Sequence, residues 1–350
     1  MTTAIKLDQV SIVFGDSPEA ALPYMDQQWD RAAIQEKTNQ LMAVRDCSLE
    51  VEEGEIFVLM GLSGSGKSTL LRAVNGLNPV IRGSVHVNNG DALMDVTKAS
   101  SMQLRKIRRN RVAMVFQQFA LLPWRTVAEN VGLGLELAGM PKRHRREAVL
   151  EQLALVGLEN WADNQVSELS GGMQQRVGLA RAFATQAPIL LMDEPFSALD
   201  PLIRCKLQDE LLDLQQKLKR TILFVSHDLD EAFKLGNRIA IMEGGLIKQI
   251  GTPQTIFSRP ADDYVSEFVA NMNPLGVLRV CDGMVKPSQS RYEKTISHDT
   301  LLSDSLDHLL AAQDPLGVTK EDKIVGELSA RNALQLLSGH LSEDSNGRDI

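Results

Sequence analysis

Short, continuous apolar runs recur along the first part of the chain, each closed by polar or glycine-rich sequence. They are Glu55-Ile56-Phe57-Val58-Leu59-Met60, Val112-Ala113-Met114-Val115-Phe116, Ile189-Leu190-Leu191-Met192 and Thr221-Ile222-Leu223-Phe224-Val225-Ser226. Such runs read as buried strands of a parallel sheet. Strands at Ile5 to Phe14 and Leu41 to Val51 precede them, and a late pair at Arg238 to Met242 and Leu246 to Ile250 follows. Between Phe116 and Ile189 the period changes. Thr126 to Ala138, Arg145 to Val156 and Gly171 to Thr185 read as helices, the first with Val127, Val131, Leu135 and Ala138 on one apolar stripe. The pattern predicts an α/β domain over residues 1–270 with a helical insertion at about 119–186.

Two stretches stand apart. The first runs from about residue 15 to 40, where two strands would ordinarily be joined by a short turn. It carries Leu22, Tyr24, Trp29, Ala32 and Ile34 among charges, which fits helices packed on the sheet domain, with an irregular loop as the alternative. The second is the tail, 271–350. Leu302, Leu306, Leu309 and Leu310 have helical spacing, Gly317-Val318-Thr319 and Lys323 to Leu328 suggest two short strands around an acidic turn, and Ala330, Leu334 and Leu337 a second helix. A small α+β segment is expected there.

The chemistry lies where the apolar runs end. Glu55 to Met60 leads into Gly61-Leu62-Ser63-Gly64-Ser65-Gly66-Lys67-Ser68-Thr69, followed by the helix-forming Leu70-Leu71-Arg72-Ala73-Val74. Glycines let successive N–H groups turn inward around a phosphate, and the dipole of the following helix stabilises its charge. Lys67 would reach the β- and γ-phosphates, Ser68 would fill a magnesium position, and Thr69 would meet the α-phosphate side. The run Ile189 to Met192 ends in Asp193-Glu194: Asp193 can hold magnesium through water, and Glu194 stands where a general base would face an attacking water. His227 follows the next strand at the carboxyl edge, where parallel sheets present ligands, and is read as a γ-phosphate contact. Gln117 ends the strand at Val112 to Phe116 and would coordinate magnesium or the attacking water.

With Leu169-Ser170-Gly171-Gly172-Met173-Gln174-Gln175-Arg176 between them, these segments resemble the ATPase subunits of ABC transporters: Walker A, Q-loop, signature, Walker B, D-loop and switch histidine occur in order. The resemblance implies a P-loop NTPase fold, with a RecA-like sheet, a helical subdomain and an antiparallel β subdomain. It implies ATP and Mg2+ as cofactors, Asp200 of Pro195-Phe196-Ser197-Ala198-Leu199-Asp200 as a nucleotide contact, and a head-to-tail dimer. In that dimer Ser170, Gly171 and Gly172 of one copy would close on the phosphate loop of the other. Phe14 sits where the family places an aromatic that stacks on adenine, although a plain core Phe fits too.

Within the superfamily the chain is most similar to glycine betaine, proline betaine and choline importer ATPases. The likeness lies in Met114-Val115-Phe116-Gln117-Gln118-Phe119-Ala120-Leu121-Leu122-Pro123, in Ser226-His227-Asp228-Leu229-Asp230-Glu231-Ala232, and in the long 15–40 segment. An amino-acid importer such as one for methionine, or a non-transport ABC ATPase, is the alternative. The tail is similar to one degenerate cystathionine-synthase-type repeat, where betaine importers often carry two; sensing and dimer-stabilising roles both stay open.

Composition narrows the setting. No apolar run reaches a membrane span, and the amino terminus lacks a charged-then-apolar signal. The resemblance then implies a peripheral protein on the cytoplasmic face of the inner membrane, with permease subunits and, indirectly, a substrate-binding protein as partners. Three cysteines, Cys47, Cys205 and Cys281, lack metal-ligand spacing. A formal charge of −8 disfavours nucleic acid. The basic runs Arg105 to Arg111 and Lys142 to Arg146 read as solvated helix faces, with contact to headgroups or a permease as the alternative. Phe119 to Trp124, beside Gln117, is the expected dock for a permease helix. Quaternary ammonium is held in aromatic cages. With only three Trp and three Tyr, widely scattered, the chain leaves solute recognition to separate proteins.

Overall fold

The protein is described as a computed structural model covering residues 2–270, 273–312 and 314–337. Its chain divides into two compact units, 1–228 with 235–250, and 229–234 with 251–350. Besides 229–234, the second unit takes in the chain from Gly251 onward, ahead of the division expected near residue 270.

In the first unit, strands β1 (Thr3–Phe14), β2 (Leu41–Glu52), β4 (Arg82–Asn88) and β5 (Leu93–Asp95) form an antiparallel sheet in the order β2-β1-β4-β5. Strands β3 (Ile56–Met60), β6 (Val112–Val115), β7 (Ile189–Asp193), β8 (Thr221–Val225), β9 (Arg238–Glu243) and β10 (Leu246–Gly251) form the second sheet, ordered β10-β9-β3-β8-β7-β6. Neighbours from β9 to β6 are parallel. Every residue of β3, β7 and β8 is buried, the reason these strands read as unbroken apolar runs. Both sheets and helix α3 (Lys67–Val74) share one core that includes Ile5, Val44, Phe57, Leu70, Leu191 and Leu223.

The 15–40 segment is helical, as expected: a 3-10 turn at Pro18–Ala21, then α1 (Leu22–Asp26) and α2 (Arg31–Thr38). Ala21, Met25 and Ile34 are buried against Val13 and Met42. Ala32 and Trp29, expected among the packing residues, are exposed.

Helix α4 (Ser101–Asn110) precedes β6. The expected helix over 126–138 is two short ones, α5 (Val127–Val131) and α6 (Leu133–Leu137), meeting at Gly132, whose ψ of −3° departs from helical geometry. Its stripe holds for Val127, Val131 and Leu135, whereas Ala138, beyond the end of α6, is exposed. Helix α7 begins earlier than expected, at Lys142, and runs to Leu155; α8 (Gly171–Ala184) packs on it. The basic run at its start is partly neutralised, with Arg143 paired to Glu147, Arg145 to Glu136 and Arg146 to Asp163. Helix α9 (Pro201–Leu218) completes the unit's helices.

The second unit holds most of α10 (Leu229–Leu235), then α11 (Pro253–Ser258), α12 (Asp263–Val269), α13 (Val280–Gly283), α14 (Leu302–Leu310) and α15 (Ala330–Leu337). A three-stranded sheet joins β11 (Thr295–Ser297) in parallel to β12 (Leu316–Lys320), which pairs antiparallel with β13 (Lys323–Leu328). Glu321 and Asp322, both at positive φ, make the acidic turn between the last two. Leu278, Leu302, Leu309, Val318, Leu328 and Leu336 form its core, against which Phe257 of α11 packs. Phe257 therefore belongs with the tail, which moves the boundary forward from 270. In α15 the buried positions are Ala333 and Leu336; Ala330 and Leu334, expected on the apolar face, are exposed. Leu310 likewise faces outward.

Candidate functional site

Strand β3 delivers its chain into the loop 61–66, and the loop works only with glycine at two of its positions. Gly61 has φ +144°, and a Cβ there would lie 2.1 Å from the Met242 carbonyl oxygen. Gly66 has φ +100°, and a Cβ would lie 2.6 Å from the Ala43 oxygen. The backbone can thus curl against β2 and β9 and enter α3 directly, with Ser65 buried beneath it. Lys67 Nζ folds back on the loop, donating to the Gly61 and Leu62 carbonyls at 2.7 and 2.9 Å. Burial pushes its pKa below the ordinary lysine value, against the opposing pull of Glu194 and Asp193.

The result is a cavity of about 230 Å³. Of the residues expected to bind or cleave nucleotide, Phe14, Ser63, Gly64, Gly66, Lys67, Ser68, Thr69, Gln117 and Glu194 line it. Phe14 also packs against the main core, the plainer of the two roles expected for it, while it lines the cavity. Asp193 lies behind the wall, fully buried: Ser68 Oγ donates to its Oδ1 at 2.6 Å, and Arg72 pairs with its Oδ2 at 2.8 Å. The Ser68 hydroxyl and the Asp193 carboxylate are hard oxygen donors beside the glycine loop, chemistry suited to magnesium.

Glu194 is the centre of a small network. Gln117 Nε2 donates to its Oε2 at 3.0 Å, and His227 Nδ1 lies 3.2 Å from the same oxygen. Three strands therefore converge on one carboxylate: β6 through Gln117, β7 through Glu194 itself and β8 through His227. Glu194 adopts φ +48°, an unusual conformation for a residue with a side chain. It is held there by its N–H on the Val225 carbonyl at 3.1 Å and by Gln175 Nε2, which donates to the Glu194 carbonyl at 3.1 Å. Gln175 Oε1 also accepts from Ala198 N at 3.0 Å, so one buried side chain on α8 fixes both ends of the turn after β7.

Ser170, Gly171, Gly172 and Asp200 are not among the cavity's lining residues. Ser170 caps α8 by accepting from Met173 N, and Asp200 caps α9 by accepting from Ile203 N. Ser170, Gly171 and Asp200 are exposed, available to a second molecule. After Gln117 the backbone takes two consecutive left-handed residues, Phe119 and Ala120, whose carbonyls accept from Arg181 at 2.8 and 2.7 Å. Trp124, at the end of this apolar stretch, is 73% exposed.

Sequence reasoning missed Arg31, Leu41 and Ala43 on the cavity wall, and Gln175 and Arg72 around the carboxylates. Leu41 pairs with Phe14 across β1 and β2, a partnership the strand register reveals and the chain order hides.

The ABC transporter family pattern matches residues 44–197. The ATP-binding protein ProV of the Salmonella typhimurium glycine betaine/proline betaine transport system is 49% identical over 296 residues, 80% of this chain and 73% of that protein. The glycine betaine transport ATP-binding protein OpuAA of Bacillus subtilis is 43% identical over 338 residues, 97% of this chain and 79% of that one. The chain belongs to the ABC transporter ATP-binding family. This cassette is accordingly an ATP-hydrolysing, energy-coupling subunit. It is also similar to a solved dimeric, post-hydrolysis cassette, MJ0796, bound to ADP and Pi, at 32% identity and a TM-score of 0.62 over 71% of this chain and 98% of that one. No helix among the cassette's described residues is long and apolar enough to cross a membrane.

Proposed function

We propose that this cassette energises the import of a quaternary amine, glycine betaine or choline, as a peripheral subunit bound to permease subunits at the inner membrane's cytoplasmic face and fed by a substrate-binding protein. The observation that carries the reading is the likeness to the two betaine-system ATPases over 80% and 97% of the chain. The exposed Trp124 end of the segment after Gln117 is the proposed dock for a permease helix.

In the proposed reaction ATP lies with adenine against Phe14 and its phosphates in the loop of Gly61, Ser63, Gly64, Ser65 and Gly66, beside Lys67 and Thr69. Ser68, Asp193 and Gln117 would hold magnesium, which supplies charge neutralisation across the phosphates. Glu194 orients the water that attacks the γ-phosphorus as the bond to the bridging oxygen breaks, and accepts its proton. His227, 3.2 Å from Glu194, contacts the γ-phosphate. Ser170, Gly171, Gly172 and Asp200 complete the site from a second copy.

Reconstitution with the cognate permease and binding protein tests the solute. Glycine betaine or choline should be accumulated in an ATP-dependent way, with methionine and trimethylamine N-oxide as comparisons. Accumulation of methionine alone would replace the quaternary-amine reading with the amino-acid one.

A further inference from the structure

The segment between β1 and β2 does more than lengthen a turn. Its helix α2 starts at Arg31, capped by Asp30, which accepts from Ala33 N at 2.8 Å. Ile34, one turn further along, is fully buried with Met25 and Ala21 against Val13 and Met42. Arg45 Nη1 donates to the Trp29 carbonyl at 3.0 Å and fixes the approach to the helix. Arg31 is therefore held by a packed element rather than by a free loop, and its position over the phosphate loop is built in.

That position is on the cavity proposed for ATP. Arg31 Nη1 donates to the Gly64 carbonyl at 2.8 Å, and its side chain lines the same cavity as Lys67, Ser68 and Thr69. A guanidinium carries five N–H donors and a permanent charge. Among the described residues the Arg31 side chain has one polar partner, the Gly64 carbonyl; Glu194 lines the same cavity without pairing with it. A neutral carbonyl is a poor final partner for a cation beside a site for a polyanion, because charge-assisted contacts to phosphate are roughly twice as strong as neutral ones.

We propose that Arg31 is a phosphate ligand of the bound nucleotide, so that the 15–40 segment forms one wall of the ATP site. Lys67 reaches the phosphates from the loop as a point charge, and Arg31 adds a planar fork from the other wall. The proposal rests on ATP occupying this cavity and is independent of the transported solute.

Equilibrium binding of ATP, ADP and adenosine to the full chain provides the test, with adenosine measured by displacement of a fluorescent ADP analogue. Arg31→Ala should weaken ATP and ADP about tenfold, the order expected for one charge-assisted contact, and leave adenosine unchanged. Arg31→Gln, which keeps a polar side chain but is shorter and carries no charge, should lose as much. Arg31→Lys should recover part, and Lys37→Ala, an exposed cation on the same helix, should change nothing. Unaltered ATP affinity in Arg31→Ala, an equal loss for adenosine, or wild-type behaviour of Arg31→Gln would each overturn the proposal, the last two by showing that Arg31 only braces the loop. Failure of the wild-type chain to bind ATP would instead overturn the reading of the cavity itself.

Discussion

Glu194 shows how a single residue is prepared. Its left-handed backbone costs on the order of 1 kcal/mol and is retained because the Val225 carbonyl and Gln175 hold it from two sides. Replacing only the ionisable group should leave this frame intact: Glu194→Gln should bind ATP normally, turn over about a hundredfold or more slower, and accumulate as an ATP-bound dimer. Phosphate release and size-exclusion chromatography with MgATP would check both halves. Lys67 offers a second test. Burial holds its pKa below 10.5, and a polyanionic ligand would raise it again, so between the two values the free chain has lost a proton that the complex keeps. Nucleotide binding should take up a proton there, and affinity should fall as pH rises through that window and level off below it. Titration calorimetry in buffers of different ionisation enthalpy would detect the uptake, and Lys67→Met should abolish it. Lys67, Asp193, Glu194 and His227 were legible in the sequence because each ends an apolar run or glycine loop; Arg31 was not, because nothing near it in the chain announces a phosphate.

At the scale of elements, long apolar runs were easy to place and short ones were not. Strands β3, β7 and β8 are buried throughout, so their composition alone marked them. Strand β11 escaped notice because only the half-buried Ile296 interrupts the polar Lys294-Thr295 and Ser297-His298; it exists as a strand through its pairing with β12. In α15 the expected Leu337 packs on the core, but Leu336 is buried where Leu334 was expected, since the two are equally apolar and only the packing of Leu336 beside Leu328 and Gly283 chooses between them. The tail core makes a prediction of its own. Leu302→Ala should destabilise the second unit by about 2–5 kcal/mol, because it empties a fully buried site. Hydrogen exchange should rise in α14, β12 and β13, with basal ATP hydrolysis unchanged, since every proposed nucleotide contact lies in the first unit.

For the whole molecule, the decisive expectation is that one copy is half a machine. Ser170 is exposed at the start of α8, outside the cavity's lining, as a composite head-to-tail site requires. Lys67→Ala should weaken nucleotide binding by the isolated chain, while Ser170→Arg should leave that binding intact and block the closed dimer. Mixing the two variants should restore one working site per heterodimer, read as ATPase activity above either variant alone; an assembled but inactive mixed pair would argue against shared sites. Glu343, Asp344 and Asp349, the acidic residues of the tail on which salt screening would act, lie outside the described residues. A cut after Asn271, near the expected end of the α/β domain, would strand Phe257 without its core, because the unit that holds the tail also takes in the stretch from Gly251.

The sequence by itself determined the α/β sheet, the order of the nucleotide motifs and the candidates for the reacting groups, because these depend on local features: unbroken burial of a strand, glycines at positive φ, and polar residues at strand ends. The tertiary structure alone decided which side chains share the cavity wall. Arg31 and Gly64 lie far apart in the chain, as do Gln175 and Glu194, and each pair meets only when a distant hydrophobic contact, Ile34 on Met42 or α8 on the sheet, has fixed both partners.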